Sequence, residues 1–497
     1  MKYPAFLGGS YVAQAPTADY EETINYYLEV LESEGATSRL SLLPTPGVLN
    51  LAEKLPDETI TAMIKDVGSG PGRAHFAMDG AEYAVFGTSF CTVTETGVLQ
   101  ARGTVALGDD PATICSNGDA GGQIFITSGG NGYLYTPATT TFAAIGALAG
   151  KATMGDYLDG YFLALDANTS MLYISALFDG SSWSTSTDFA QRSLGADPWL
   201  SMKVVGRYIW LFGEQTSEVW EDTGATFPFA PAPSGFILWG IAAPFSAAVL
   251  GEAVIWLGQD RAGRVCVIRG EGFTPNVISH FPFELAVRDY VRISDAFGEA
   301  YSDLGHSFYL ISFDTAAVTW AWDDGMRLWS KRGTWLQEKA SYESWYPRFH
   351  AYAYNEHRIL NSRGSFVYKL GPEFRTDIDD RMIRRVRRAP AIMNENRRVF
   401  YASFELDMEV GLGEESNPAD VQSDNPQVIL RISNDGGKTW ISEQYRPAGK
   451  AGEYFRRVRW NRLGAARRRV FEVVVTDPIP WRLTGCYLET VDSGKAA

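Results

Sequence analysis

The stretch GRYIWLFG at 206–213 decides the fold, because a signature of the same kind recurs along the chain. In each copy, one or two turn residues precede a short run of apolar or aromatic residues. The other copies are AEYAVFG at 81–87, GGQIFITS at 121–128, DGYFLALD at 159–166, GEAVIWLG at 251–258, GHSFYLIS at 305–312 and, more weakly, NEHRILNS at 355–362. Their spacing, roughly 37–54 residues, is the repeat length of a four-stranded propeller blade.

A turn and a second strand follow most copies, as in SMLYISAL at 170–177, SEVWED at 217–222, RVCVIRG at 264–270 and AVTWAWDD at 317–324. The repeated apolar runs are typical of a buried inner strand, whereas the strand that follows alternates more. We therefore predict an all-β chain whose blades, about six or seven, close into a ring with short, protected edges. A pair of β-sandwiches is the alternative that the same strands allow.

The two ends of the chain differ from the repeats. Residues 1–61 are predicted to form an extended arm with a short helix in DYEETINYYLEV at 19–30, for which Asp19 is a plausible N-cap. The segment SLLPTPGVLN at 41–50 must be extended, because a proline disfavours helix at the residue before it. The propeller is then expected over 62–380, and an arginine-rich, sandwich-like β domain over 381–497. The polar, acidic segment 411–426 is expected to be an exposed loop.

Charge is unevenly distributed over the 497 residues, whose formal net charge is −15. About 20 Lys and Arg face about 15 Asp and Glu from residue 381 onward, which leaves about −20 on the preceding residues. This balance argues against wrapping nucleic acid with the main domain, although an acidic surface can border DNA without holding it.

Targeting and redox signals are weak. Pro4 and the Gly8–Gly9 pair interrupt any apolar leader, so a signal peptide is not expected, and glycine, proline and Glu252 break the apolar stretch 235–258. The cysteines form no CxxC pair and are expected to be buried free thiols: Cys91, Cys115, Cys266 and Cys486.

Catalytic and metal-binding patterns do not stand out, and no enzyme activity, metal or cofactor is predicted. The five histidines show no HExxH or HxH spacing. A glycosidase would need a fixed pair of carboxylates. The acidic residues near the repeats read instead as turn residues: Asp156, Asp159, Asp166, Asp323 and Asp324.

The segment SNDGGKTW at 433–440 matches the Asp-box hairpin of sialidase-like propellers. Its expected role is structural, since an aspartate can accept hydrogen bonds from turn amides and glycine allows positive φ angles. The tryptophan is expected to pack beneath the hairpin. The residues of this predicted hairpin are Ser433, Asp435, Gly437, Thr439 and Trp440.

Arginine clusters at 381–388, 456–460 and 467–469 are the remaining charged feature. Three interpretations are open: a solvated face paired with local carboxylates, a protein interface, for which guanidinium groups are well suited, and direct DNA contact. The candidate interface residues are Arg384, Arg385, Arg387, Arg388, Arg456, Arg457, Arg459, Arg467, Arg468 and Arg469.

Three segments resemble the packaged-DNA stabilisation proteins, or tail nozzles, of short-tailed bacteriophages. They are INYYLEV with LLPTPGV at 24–30 and 42–48, YIWLFGEQTSEVWEDTGATFPF at 208–229, and RVRWNRLGAARRRVFEVVVTDPIPWRLTGCYLE at 457–489. The acidic loop around Glu414 and the Asp box depart from the family pattern. Because the three segments lie at the start, middle and end, the resemblance covers nearly the whole chain.

The resemblance implies a structural protein of the virion tail, made in the host cytoplasm and assembled as a hexameric ring below the portal and its adaptor. Such a ring would continue the DNA channel, retain packaged DNA, and let duplex DNA pass without sequence-specific binding. Its implied partners are itself, the adaptor, a tail spike or fibre, and a needle or plug. The arginine-rich end would dock onto the adaptor or a neighbouring subunit.

Two other functional classes compete with this reading. A carbohydrate-binding or carbohydrate-cleaving receptor-recognition propeller would need an aromatic platform or a carboxylate pair at its mouth. A bacterial surface scaffold is the third class.

Overall fold

Seven antiparallel blades of four or five strands form a ring in the computed structural model, which describes residues 2–3, 5–16, 18–33, 35, 38–78, 80–192, 194–413, 421–441 and 443–492. We number these sheets as blades 1–7 and their strands from the ring axis outward. Blades 1–3 comprise Gly72–Met78, Ala81–Phe86, Ser89–Val93 and Leu99–Thr104; Thr113–Ser116, Ile124–Ser128, Asn131–Thr136 and Thr141–Ala144; and Met154–Leu158, Tyr161–Asp166, Met171–Ala176, Asp179–Trp183 and Phe189–Gln191.

Blades 4–7 repeat the same antiparallel order. They comprise Trp199–Val205, Tyr208–Gly213, Ser217–Asp222 and Phe229–Ile237; Gly240–Ile241 with Ala248–Leu250, Ala253–Gln259, Val265–Glu271 and Thr274–Val277; Phe297–Asp303, His306–Phe313, Val318–Asp323 and Leu328–Arg332; and Pro347–Ala353, Glu356–Asn361, Val367–Gly371 and Gly47–Asn50. The first strand of each blade contacts the first strand of the next, and blade 7 contacts blade 1, so the ring is closed. The predicted propeller is confirmed.

The repeated signature supplies the second strand of every blade, rather than the inner strand that we inferred from its apolar character. A second strand is paired on both edges and covered on both faces by neighbouring blades, so nearly all its side chains are buried, as in Tyr208–Gly213. The innermost strand borders the axis and is free to carry polar residues. Continuous burial therefore marks the middle of a blade.

Residues 19–30 form two strands, Tyr20–Ile24 and Tyr26–Val30, and the predicted short helix is wrong. Asn25 separates them at a positive φ of 58°, and its side chain bonds the main chain of Gly333 and Arg384. Tyr26 and Leu28 are buried with the alternation of a half-buried strand. Pairing with residues more than 300 positions away thus overrides the local helical tendency.

The C-terminal domain is a sandwich of two sheets, both completed by N-terminal strands. Sheet 1 runs Tyr26–Val30, Leu40–Pro44, Leu483–Asp492, Val399–Met408 and Val458–Asn461, with Ala465–Ala466 at its side. Sheet 2 runs Tyr20–Ile24, Arg385–Arg388, Arg468–Val475, Gln427–Ser433 and Gln444–Pro447, with Tyr11–Val12 and Ile392–Met393 at its side. Aromatic side chains, among them Phe404, Trp460 and Phe471, fill the core between them.

Sheet 2 also continues into the propeller, because Tyr20–Ile24 pairs in parallel with the outer strand of blade 6. The remaining elements are the helices Asp57–Val67, Gly118–Gly121, Phe281–Asp289 and Val421–Asp424, the 3-10 turns Leu51–Lys54, Pro137–Thr139, Gly146–Leu148, Pro244–Ser246 and Ile378–Asp380, and the short strands Thr334–Leu336, Ser341–Glu343, Thr376–Asp377 and Arg381–Met382. Among the described residues, no helix combines the length and apolar character needed to cross a bilayer.

Two sequence expectations concern particular positions. All four cysteine side chains are buried, as expected of core thiols. The predicted acidic loop at 411–426 falls partly outside the described residues, because 414–420 are not among them.

Candidate functional site

The ring axis holds a cavity of about 330 Å³, lined by the first strands of all seven blades. Its titratable side chains include His75, Asp156, Lys203, Glu299 and His350. Burial raises the pKa of Glu299 to about 7, although the amide of His350 donates to its carboxylate at 3.2 Å. The channel is therefore narrow and polar.

A buried polar cluster closes the ring between blades 7 and 1. Arg358 Nη1 donates to Glu82 Oε2 at 2.7 Å, and both side chains are 0% exposed. The other oxygen, Glu82 Oε1, lies 2.7 Å from Nε2 of His75, whose Nδ1 lies 2.7 Å from the carbonyl of Phe349. Burial and the neighbouring His357 lower the pKa of His350 to about 3. This cluster fixes the first blade against the last.

The acidic residues considered for catalysis serve turns and local pairs. Asp156 accepts from the amides of Tyr157 and Val204, and Asp166 accepts from the amide of Asn168 and the hydroxyl of Thr169. The remaining three carboxylates behave similarly: Asp159 pairs with Arg207, Asp323 with His306 and the amide of Gly325, and Asp324 with Trp322 and Arg269. In the described part of the chain, no three His, Cys, Asp or Glu side chains come together as a metal-binding group.

Four of the ten candidate interface arginines are buried within the chain: Arg385, Arg387, Arg388 and Arg469. Arg387 donates to the carbonyl of Gly9 and the hydroxyl of Thr23 and pairs with Glu21. Arg469 donates to Asn434 and to the carbonyl of Leu463. Burial lowers the pKa of Arg385 to about 10. The interface prediction is wrong for these four, because their guanidinium groups hold the chain's own segments together.

An ionic ladder joins the propeller, the N-terminal strand and the sandwich. Lys331 of blade 6 contacts Glu22 at 2.7 Å, and Arg388 contacts the second oxygen of Glu22 at 2.8 Å. Arg388 also contacts Glu472 Oε2 at 2.6 Å, and Arg431 contacts Glu472 Oε1 at 2.7 Å. Although burial opposes it, Lys331 and Arg388 lower the pKa of Glu22 to about 2. Positive and negative side chains alternate along the ladder, so each buried charge lies beside a charge of opposite sign.

The Asp-box residues form a tight turn between two strands of sheet 2. Asp435 Oδ1 accepts from the amides of Lys438 and Thr439 at 3.0 and 2.9 Å, and Oδ2 accepts from the hydroxyl of Thr439 at 2.6 Å. Ser433 Oγ accepts from the amide of Gly437, whose φ is 92°. These bonds lower the pKa of Asp435.

Trp440 follows this turn and lies against the ladder, with its ring 5.1 Å from the guanidinium of Arg388 and 5.0 Å from that of Arg431. Tyr20 covers Arg388 from another side at 4.1 Å. The hairpin thus positions the Trp440 ring at the junction of the two domains. Sequence reasoning missed the partners Glu21 and Glu22, because they fall within the predicted helix. The stretch YEETI shows no alternation of apolar and polar residues that would have indicated a strand.

The other six candidate arginines are at least partly exposed. Arg384 stacks on Trp335 and Tyr342, and Arg468 lies near the sulfur of Met393. Arg467 is exposed beside it. Arg456, Arg457 and Arg459 pair with Glu453, Glu405 and Glu489 at the surface. They form two separate groups, 456–459 and 467–468, with Arg384 at the domain junction.

Comparison with known proteins finds the same two-part architecture. The family model described as bacteriophage P22 Gp10, β-propeller, matches residues 15–374, and the model described as bacteriophage P22 Gp10, β-sandwich, matches residues 384–491. No curated protein matches the sequence.

Solved structures resemble the chain more distantly. The N-terminal domain of Nup159 is 10% identical and covers 70% of this chain and 98% of its own, with a TM-score of 0.40. The Neurospora crassa Pan2 WD40 domain is 8% identical and covers 65% of this chain and 94% of its own, with a TM-score of 0.37. Likenesses this weak carry no inference about the role of this chain.

Proposed function

Because the chain belongs to the bacteriophage P22 Gp10 family, and is thus a structural protein of the phage head-to-tail region, we propose that it is a tail nozzle component. In this role it extends the DNA channel below the portal and adaptor and helps to retain packaged DNA. The observation that carries the proposal is the match of both family models, in order, over nearly the whole chain.

The junction between the domains supports a role in which the two domains must stay fixed relative to each other under force. Sheet 2 runs without a break from the sandwich into blade 6, and the ladder from Lys331 to Arg431 crosses the same boundary. Continuous backbone pairing resists sliding and hinging more than a contact between surface loops does. A rigid two-domain unit suits the wall of a tube that holds DNA under pressure.

The dimensions of the propeller channel bear on the route of DNA. The propeller cavity has a volume of about 330 Å³. A sphere of that volume is only ~9 Å across, whereas the major groove of duplex DNA alone is ~12 Å wide. DNA would therefore pass along the axis of a ring of subunits, six as the family resemblance implies, and not through any one propeller. An acidic wall there would repel the strand and let it slide.

The proposed partners are other copies of this chain, the portal adaptor, a spike or fibre, and a needle or plug. Among the candidate arginines, we propose the exposed Arg467 and the half-buried Arg468 for docking. We also propose the functional division into an arm at 1–61, a propeller at 62–380 and an arginine-rich domain at 381–497, with the arm serving to join the other two.

Cryo-EM of intact virions tests the nozzle proposal. The expected result is a ring of propellers with a central channel below the adaptor. A monomer or trimer at the tail periphery, with no channel, would overturn the proposal and favour receptor binding.

Charge reversal tests the docking surface separately. The double variant Arg467→Glu, Arg468→Glu should lower the yield of assembled tails at least tenfold. Arg207→Glu is the matched control, because its side chain is 79% exposed in a turn of blade 4, whose strands belong to neither sheet of the sandwich. Equal yields of assembled tails in both variants would exclude Arg467 and Arg468 as docking residues. That result would not contradict the proposal that the subunits form a ring.

A further inference from the structure

A pocket of about 310 Å³ lies at the junction of the two domains, where it is lined by sheet 2 and by the hairpin of Thr334–Leu336 and Ser341–Glu343. We call it the junction pocket. Because successive side chains of a strand point to opposite faces, sheet 2 contributes every second residue of two neighbouring segments. These lining residues are Glu22 and Ile24 on one segment and Arg384, Val386 and Arg388 on the other.

The charges that line the junction pocket do not cancel. Four of them lie on four adjacent strands of sheet 2, each directly opposite the next: Glu22, Arg388, Glu472 and Arg431. Arg384 is a third guanidinium group in the lining, so one positive charge is left over. Just outside the lining, Lys331 pairs with Glu22 and Glu443 lies 3.9 Å from Arg431, and these two charges offset each other. The pocket therefore favours one negative charge.

Arg384 carries this surplus charge. None of the ion pairs between described residues involves Arg384, whereas Arg388 and Arg431 are both paired with carboxylates. The central carbon of its guanidinium lies 4.6 Å from the centre of the Trp335 ring, and Nη1 donates to the hydroxyl of Tyr342 at 3.0 Å. The guanidinium is thus held in place before any ligand arrives.

The other two nitrogens of Arg384 are open to a ligand. The side chain is only partly buried, and Nε and Nη2 are neither enclosed nor hydrogen-bonded to any described residue. These two nitrogens form one edge of the guanidinium plane. Carboxylates characteristically bind such an edge through two parallel hydrogen bonds.

We propose that the junction pocket binds a single carboxylate group, with Nε and Nη2 of Arg384 as its two donors. A planar anion of one charge matches both the guanidinium edge and the one uncompensated charge. A phosphate dianion would bring a second negative charge close to Glu22 and Glu472, so the pocket should prefer a carboxylate. A small carboxylic acid and an acidic side chain of a neighbouring subunit both present this group, and the experiment separates these two sources.

Fluorine NMR of the purified chain labelled with 5-fluorotryptophan tests the binding. Acetate is the probe, and the Trp335 resonance is assigned by its disappearance in Trp335→Phe. When acetate replaces chloride at constant ionic strength, this resonance should shift saturably, because the indole ring lies against the guanidinium that binds the probe. Inorganic phosphate should produce the same shift only at a higher concentration.

Substitutions at Arg384 test its role. Arg384→Gln should weaken acetate binding roughly tenfold or more, since hydrogen bonds to charged groups are strong. Arg384→Lys keeps the charge without the two-donor edge, so its affinity should be intermediate. Arg381→Gln is the matched control and should bind acetate like the wild type, because Arg381 pairs with Glu338 at 3.7 Å and does not line the pocket.

Carbodiimide crosslinking of intact virions that carry Arg384→Lys identifies the source of the carboxylate. The reagent joins an amine to a carboxylate that contacts it. A crosslink from position 384 to a peptide of another subunit would assign the bound group to an acidic side chain. Acetate binding by the purified chain without such a crosslink would assign it to a small carboxylic acid.

Two results would overturn the proposal. A Trp335 resonance that responds no more to acetate than to chloride would mean that Arg384 meets only water. Equal responses in the wild type and in Arg384→Gln would place the anion elsewhere on the chain. Neither result depends on whether the subunits form a channel for DNA.

Discussion

At the scale of single residues, the most consequential side chains are the buried charges. Glu82 and Arg358 are fully enclosed where blades 7 and 1 meet, and His75 contacts the remaining oxygen of Glu82. A buried ion pair adds modest stability as a whole, but removing one partner leaves a charge without compensation. Such pairs therefore enforce one closing geometry for the ring.

Glu82→Gln should lower the free energy of unfolding by about 3–5 kcal/mol, because Arg358 loses its counter-charge in a buried site. Arg207→Gln removes the exposed partner of Asp159 and should cost about 0–1 kcal/mol. Thermal unfolding followed by circular dichroism compares the two variants with the wild type. Similar losses in both would contradict the structural role of the closing pair.

Glu299 makes the stability of the propeller depend on pH. Because its pKa is raised from 4.5 to about 7, the folded state holds this proton more tightly than the unfolded chain does. Its contribution to stability is therefore fully present below about pH 4.5 and is lost as the pH rises to about 7, amounting to about 3 kcal/mol. The melting temperatures of the wild type and Glu299→Gln, compared from pH 4.5 to 8, should converge at low pH, with the variant more stable at high pH. A constant difference would contradict the assignment.

At the scale of elements, the strand Gly47–Asn50 closes the ring by pairing with Val367–Gly371 of blade 7. Blade 7 therefore combines a strand that precedes the other blades in sequence with three strands that follow them, and so holds the two ends of the propeller together. Opening the ring then requires this strand to leave its sheet.

A disulfide between Leu49→Cys and Lys369→Cys, which are directly paired, tests the closure. The bond would enclose a loop of more than 300 residues, for which loop entropy predicts about 6 kcal/mol of stabilisation. Thr136→Cys with Thr141→Cys, a directly paired position within one hairpin of blade 2, should give about 2 kcal/mol. Melting temperatures under oxidising and reducing conditions measure both gains. Equal gains would show that the closing strand is not what limits unfolding.

Local sequence patterns predicted the blades but not the ends of the chain. Each second strand is apolar because it is buried in the middle of its blade, so stretches such as GRYIWLFG can be recognised from the local sequence alone. By contrast, Tyr20–Ile24 owes its conformation to Lys331 and Arg388, which are distant in sequence. The same long-range pairing buries Arg387 and Arg388, whose clustering in sequence had favoured an exposed interface. Short-range periodicity carries no information about such partners.

At the scale of the whole molecule, the acidic net charge of −15 distinguishes this chain from proteins that bind the DNA backbone by electrostatic attraction. Attraction to phosphates supplies most of the non-specific affinity of DNA-binding proteins. Four arginines that would have contributed are buried, which reduces the basic surface further.

The purified protein should therefore give no retarded complex with a 200-base-pair duplex in a gel-shift experiment at about 50 mM salt, where electrostatic binding is strongest. A retarded complex that weakens steeply with added salt would contradict the acidic wall. A basic protein of similar size serves as the positive control.

The pairing of the first strands with the last residues has a consequence for synthesis. At ~5–20 residues per second, Gly47–Asn50 leaves the ribosome roughly 15–65 s before its partner strand Val367–Gly371. The delay is longer for Leu40–Pro44, whose partner is Leu483–Asp492. During that interval the nascent chain carries strands whose edges are open. Neighbouring ribosomes on one message present the missing partners at high local concentration, so two chains can exchange their N-terminal strands. Dimers that have exchanged their N-terminal strands are therefore the expected by-product of overexpression.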